Sequence, residues 1–209
     1  MNAYEKLTDI YQRVDDLRHV YSIASWDEAA MMPKGGGSAR GQALATLGVF
    51  IHDLVVDGNV GALLDACSNT SLDPWQVANV REIRREYNEM TVLSSSFIHA
   101  QSLAKSNCEQ AWRVHRTAND WPAFVPYLEE VVRFSVEEAG IRSVATGLSK
   151  YDAMLDTFEP GMRCARLDEL FAGLKKFLPG FTDKVLSLQA KKPLLAIGSH
   201  FDINRQREL

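Results

Sequence analysis

This 209-residue chain has few cysteines: only Cys67, Cys108 and Cys164, far apart and without a C-x-x-C pair. An odd, scattered set excludes a disulfide framework and argues against a cysteine metal site. Each reads as a small apolar core residue, and a reducing cytoplasm is the expected home. Basic charge is not in excess either, since 23 Lys and Arg against 27 Asp and Glu give a net charge of −4. No basic stripe points to nucleic acid, and no polybasic block points to a membrane surface. Long apolar runs are missing too: the longest, Leu47 to Val56, is broken by His52 and Asp53. Glu5, Asp9, Asp15 and Asp16 interrupt any signal-peptide core at the N-terminus.

Catalytic signatures are equally scarce. The five histidines are His19, His52, His99, His115 and His200, and no two lie four apart. The H-E-x-x-H helix of zinc peptidases needs two His on adjacent turns of one face, so that motif is absent. Each His reads as a capped or packed structural residue before a ligand. Ser94 to Ser96 lack a G-x-S-x-G setting. Gly35 to Gly37 lack the Gly-Lys-Ser/Thr and the preceding strand of a phosphate loop. No pair of carboxylates is singled out by an apolar setting.

What is present is helical periodicity and enough apolar residues, 46%, to bury a core. Tyr4, Leu7, Tyr11, Val14, Leu17, Tyr21 and Ala24 form one face of a first helix over roughly 2–24. Leu44, Leu47, Ile51 and Leu54 mark a second, ending near Gly58 as a left-handed terminal residue. A short helix follows at Val60 to Cys67. Asp73-Pro74 is a helix start, with Asp as N-cap and Pro at the first position. The run Arg81 to Glu86 reads as a solvated face with i,i+4 pairs. Ser94 to Ser96 start a helix whose small residues, Ala100, Ala104, Cys108 and Ala111, permit close approach. Asn119-Asp120 ends it, and Asp120 caps a helix continuing to about Lys150. Tyr151 to Gly161 reads as a compact loop, and Pro179-Gly180 should kink or split a last long helix. Only Leu194 to Ile203 could be extended. The fold class is therefore all-α: packed, mostly antiparallel helices forming a single helical region over 1–209.

Residues 25–40 stand out between the first two helices. Pro33 and Gly35 to Gly37 oppose a continuous helix. Trp26, Asp27, Met31 and Met32 add bulk that a simple turn does not need. Read locally, this is a buried corner packed by Trp26 and Met32. Arg116, Asn119 and Asp120 read as fixing a second corner through side-chain to backbone hydrogen bonds.

Four segments in order carry a resemblance: Ser-Trp-Asp-Glu-Ala-Ala-Met-Met-Pro at 25–33, Ala-Trp-Arg-Val-His-Arg-Thr-Ala-Asn-Asp at 111–120, Tyr-Asp-Ala-Met-Leu-Asp-Thr-Phe-Glu-Pro-Gly at 151–161, and Leu-Asp-Glu-Leu-Phe at 167–171. Tyr4 to Leu7 and Gly198-x-x-Phe201-x-x-x-x-Gln206 fit the same pattern. Together they resemble the amino-terminal part of the carboxypeptidase Taq family, metal-dependent peptidases. The resemblance implies the N-terminal helical lobe of a groove-containing enzyme that removes C-terminal residues from peptides. It implies zinc or cobalt in the full-length enzyme, held by H-E-x-x-H and a further Glu, and a homodimer.

No catalytic residue, metal ligand or cofactor of the family maps onto this chain. Asp202 to Leu209 reads as a helix start cut short, so a truncated product, inactive alone, is expected. Trp26, Asp27, Met32 and Pro33, with Arg116, Asn119 and Asp120, become family-signature residues that brace or line one groove wall. For the first four, corner packing without substrate contact is the first expectation. Arg163 stands where the family often places a capping Ser or Thr. A second reading keeps the chain as a non-catalytic interaction or dimerisation module, or partner of a separate catalytic half, with an exposed apolar patch.

Overall fold

The computed structural model describes residues 1–193 and 202–208. Nearly all of Leu194 to Ile203, with Gly198, His200 and Phe201, lies outside the described residues. Among those described there are helices and no strand. The order is α1 (Ala3–Ala30), a 3-10 turn (Lys34–Gly36), α2 (Gly37–Val55), α3 (Gly58–Cys67), α4 (Pro74–Thr91), α5 (Ser95–Ala118), α6 (Trp121–Thr146), α7 (Lys150–Leu155), α8 (Cys164–Gln189) and α9 (Ile203–Arg207). Cα packing divides the chain into two compact units, Met1–Pro160 and Gly161–Leu209.

Helix starts follow local chemistry. Asn2 and Glu5 form a capping box for α1, and Asp73 and Gln76 form another for α4. Ser94 accepts from Phe97 N–H to start α5. Asn119 stands at φ 53° and ends α5 in the left-handed region. Asp120 then accepts from Ala123 N–H to start α6.

Within the first unit, α2 runs antiparallel to both α1 and α5. Arg40 meets Ala24 near one end of the α1–α2 pair, and Val55 clusters with Val14 near the other. Gly37 abuts Gln110 and His52 reaches Ser95, which fixes the direction of α5 against α2. Helix α4 instead follows α1 in direction: Tyr4 meets Asn79, and Arg18 pairs with Glu86. Three apolar clusters hold the unit together. Leu7 and Tyr11 pack with Val60, Leu63, Leu64 and Val80. Val14 packs with Ile51 and Val55. Leu93, Phe97, Ala104 and Phe134 form the third, where the Phe97 and Phe134 rings meet edge to face at 5.5 Å.

Several sequence expectations are corrected. Helix α1 extends to Ala30, because the helix-breaking element is Pro33 and nothing between Ser25 and Ala30 opposes a helical path. Trp26 is therefore on the last turns of α1 and is 58% exposed, not buried in a corner. Gly36 and Gly37 are helical, and what they supply is room. A Cβ on Gly36 would lie 2.8 Å from Met32 Cγ, and one on Gly37 would lie 2.9 Å from Gln110 Cγ. Gly58 does not end α2; it opens α3 behind Asp57, whose carboxylate accepts from Asn59 N–H. Among the described residues the left-handed glycines are Gly147, which ends α6 before Lys150, and Gly161.

The compact loop at 151–161 begins as helix α7, capped by Ser149. In the second unit α8 is one continuous helix through Pro179 and Gly180, not a split one. Its N-cap, Arg163, makes no side-chain capping bond. No residue of α8 is buried.

Candidate functional site

The Trp-Asp segment is held by polar bonds. Asp27 O accepts from the N–H groups of Met31 (2.9 Å) and Met32 (2.7 Å), closing α1. The Asp27 carboxylate pairs with Arg40 on α2 at 2.6 Å. The same Arg40 Nη1 donates to Ala24 O at 2.7 Å. One guanidinium thus clamps the end of α1 to the start of α2. Met32 fills the space beside Gly36, and Pro33 O accepts from Gly36 N–H at 2.8 Å to form the 3-10 turn. Trp26 takes no part in this clamp and faces outward.

Helix α5 joins the same end of the unit. Glu28 accepts from Ser106 Oγ at 2.7 Å, and Arg113 donates to Ala29 O at 3.2 Å. The close approach of α2 and α5 comes from Gly37 and Gly41. A Cβ on Gly41 would fall 2.6 Å from Ser106 Oγ. Of the small residues of α5, Ala104 is buried beside Phe134 of α6, with Ala100 packed against the same cluster.

At the α5–α6 corner, the Arg116 carbonyl, not its side chain, accepts from Asn119 N–H at 3.1 Å. The Arg116 guanidinium lies over the Trp112 ring, 5.6 Å from its centroid. Trp112, Arg116, Asp120, Trp121 and Phe124 surround a cleft of about 240 Å³. The two signature groups therefore cap one end of the helical unit: Gly35 and Gly37 share a hollow with His115 of α5 and Tyr127 of α6.

Three histidines, His52, His99 and His115, make contacts within the helical unit. His52 is 4% exposed. Its Nε2 lies 2.9 Å from Leu93 O and 3.2 Å from Met90 O, tying α2 to the turn between α4 and α5. Its Nδ1 is 3.3 Å from both Asp53 Oδ1 and Ser95 Oγ. Ser95 Oγ donates to Asp53 Oδ1 at 2.5 Å. Ser95, His52 and Asp53 thus gather without a local motif that announces them. With Nε2 engaged by carbonyls, the imidazole has no ring nitrogen left for substrate work. His115 stacks on Tyr127, and His99 meets Gln42 at 3.1 Å. Among the described residues no three His, Cys, Asp or Glu converge as a metal site. These side chains do not fit the family's metal, and no metal step is assigned to them.

The sequence also missed a basic cavity of about 560 Å³ between α4, α6 and the segment around α7. Arg81, Arg84, Arg85 and Arg142 line it with Glu89 and Asp156. The run 81–86 is thus not simply a solvated face. Arg84 reaches Asp65 on α3, and Arg85 donates to Asp156 O; the one i,i+4 pair begun in the run is Arg85–Glu89, at 2.6 Å. Burial pushes the Glu89 carboxyl above its usual range, against the pull of Arg85 and Arg142. Deeper still, Arg142 is 9% exposed and donates to Glu138 at 2.8 Å and to Glu89 O at 3.0 Å. Glu138 accepts from Gln101 on α5 at 2.7 Å.

The sequence matches the Carboxypeptidase Taq (M32) metallopeptidase family over residues 6–209. Among curated proteins, Thermostable carboxypeptidase 1 of Thermus thermophilus is 32% identical over 202 residues, covering 91% of this chain and 39% of that protein. Carboxypeptidase 1 of Bacillus subtilis is 26% identical, over 100% of this chain and 42% of its own length. Among solved structures, Trypanosoma cruzi metallocarboxypeptidase 1 superposes with a TM-score of 0.77 at 30% identity, covering 99% of this chain and 42% of that one. The M32 carboxypeptidase of Deinococcus radiodurans gives a TM-score of 0.75 at 27% identity, covering 99% and 41%. The chain thus spans about two fifths of the length of these relatives. From the match over 6–209 and the shared helical fold, the chain belongs to the carboxypeptidase Taq (M32) metallopeptidase family.

Proposed function

We propose that these residues form the N-terminal helical lobe of a metal-dependent carboxypeptidase and do not cleave peptides alone. One observation carries this reading: a family match over residues 6–209 with no H-E-x-x-H anywhere in the sequence. In the whole enzyme, zinc or cobalt would supply an activated water for attack on the C-terminal peptide bond. The residues described above would do mechanical work. The Asp27–Arg40 clamp and the Asn119-Asp120 corner fix one end of a groove wall, and Trp26, Arg116 and Asp120 are signature residues exposed to solvent there. The natural substrate class is a peptide with a free C-terminus, in a reducing cytoplasm that suits three scattered cysteines. Nucleic acid and membrane are not partners in this reading. Among the described residues no single helix is long and apolar enough to cross a membrane.

The test is direct. The purified chain, incubated with zinc or cobalt and dialysed, should retain no stoichiometric metal and release no amino acid from an N-blocked dipeptide. Stoichiometric metal together with C-terminal trimming would overturn the claim of inactivity.

A second reading, a helical module acting through association, is favoured by a specific observation. Leu170, Phe171, Leu174, Phe177, Leu178 and Phe181 of α8 are each 43% exposed or more. Light scattering separates the two: concentration-dependent dimers support association, whereas a monomer throughout counts against it.

A further inference from the structure

The arginine-lined cavity of the first unit has no part in the proposed carboxypeptidase reading. It is built rather than accidental. Arg142 is anchored by Glu138 and Glu89 O, and Arg85 by Glu89 and Asp156 O. Arg84 is anchored by Asp65 and Ser68, at 3.0 and 3.2 Å. These anchors come from α3, α4, α6 and the residues after α7, so the guanidinium groups are held in place before any ligand arrives. Such preorganisation lowers the entropic cost of binding.

The anchors leave donors over. A guanidinium carries five N–H donors. Among the described residues, Arg85 bonds only through Nη2, and Arg142 only through Nε and Nη1. Asn88 adds an amide to the lining. The carboxylates beside Arg81, Arg84 and Arg142, from Glu82, Asp65 and Glu138, belong to residues outside the lining. The lining holds four arginines against two acidic residues, Glu89 and Asp156.

We propose that the cavity between α4, α6 and α7 binds a small oxyanion, a carboxylate or phosphate group, in the fork of Arg85 with Arg81, Arg84 and Arg142 around it. Planar guanidinium forks match both groups in geometry, and charge-assisted bonds of this kind are the strong ones. At about 560 Å³ the cavity admits more than a bare ion, so the oxyanion is the head of a small molecule.

Calorimetric titration of the chain tests this with two probes, inorganic phosphate and N-acetylglycine. Saturable binding to one site is expected, and the stronger probe identifies a phosphoryl or a carboxylate ligand. The double variant Arg81→Gln/Arg84→Gln removes two exposed or half-exposed side chains and should weaken binding about tenfold or more. Arg85→Lys keeps the charge but loses the fork and should weaken it likewise. Helix content by circular dichroism checks that each variant is folded; if Arg85→Lys fails that check, the double variant decides. No saturable binding of either probe would overturn the proposal. So would binding that the folded variants leave unchanged.

Discussion

Tyr11 is 9% exposed on α1, and its hydroxyl is buried without a hydrogen-bond partner among the described residues. Burial pushes the phenol up to about 12. An unmade bond costs more than a removed group, so Tyr11→Phe should raise stability by about 1 kcal/mol. Urea unfolding would show it as a higher midpoint at unchanged slope, and a lower midpoint would mean the hydroxyl has a partner. Gly41 presents the opposite case. Alanine there gains about 1 kcal/mol of helix propensity, but its Cβ would stand 3.1 Å from Ser106 Cβ and closer to Oγ. Overpacking of this kind costs about 1–3 kcal/mol, so Gly41→Ala should be net destabilising. Glu89 governs a pH effect. Its folded-state value lies above the ordinary 4.5, so the folded protein holds that proton more tightly than the unfolded chain. Its contribution is full below the unfolded value and is lost as pH rises through the folded one. Glu89→Gln stays neutral and should flatten that decline in a series of thermal melts above pH 4.5. An unchanged slope would remove Glu89 as its source.

At the scale of elements, side chains rather than loops set how the helices are joined. His52 bonds two carbonyls at the α4–α5 turn from the far end of α2. His52→Ala would leave both without this donor and open a cavity, costing about 2–4 kcal/mol, and His52→Gln should restore part of it. Denaturant curves of the pair check this, since equal losses would mean that volume alone mattered. The Gln101–Glu138–Arg142 network does similar work between α5, α6 and α4. Periodicity located these helices but could not locate their joints. The joints depend on residues far apart in the chain, such as Gln101 with Glu138, His52 with Leu93, and Glu28 with Ser106.

At the scale of the molecule, the three apolar clusters all draw on residues before Pro160. A chain ending at Pro160 should therefore keep a cooperative thermal transition and most of its helix signal. A broad, non-cooperative melt of that shortened chain would show that residues beyond 160 are required. Function belongs to this scale too. The family fold here spans two fifths of the relatives' length; under the proposed reading it is one lobe, and activity would belong to the site that lobe helps to enclose.

The sequence by itself determined the helical class, most helix starts and the family. Apolar spacing and capping residues such as Asp73, Ser94 and Asp120 act within a few residues, where local physics decides. The tertiary structure decided the rest. Trp26 lies on the outside because α1 runs on to Ala30, while Asp27 turns inward to Arg40. The helical glycines at 36, 37 and 41 reflect the space that Met32, Gln110 and Ser106 occupy. The arginines of α4 form a cavity only where Arg142 and the segment after α7 close around them. In each case the deciding neighbour is remote in sequence or hidden in a helix end, and only folding brings it within contact distance.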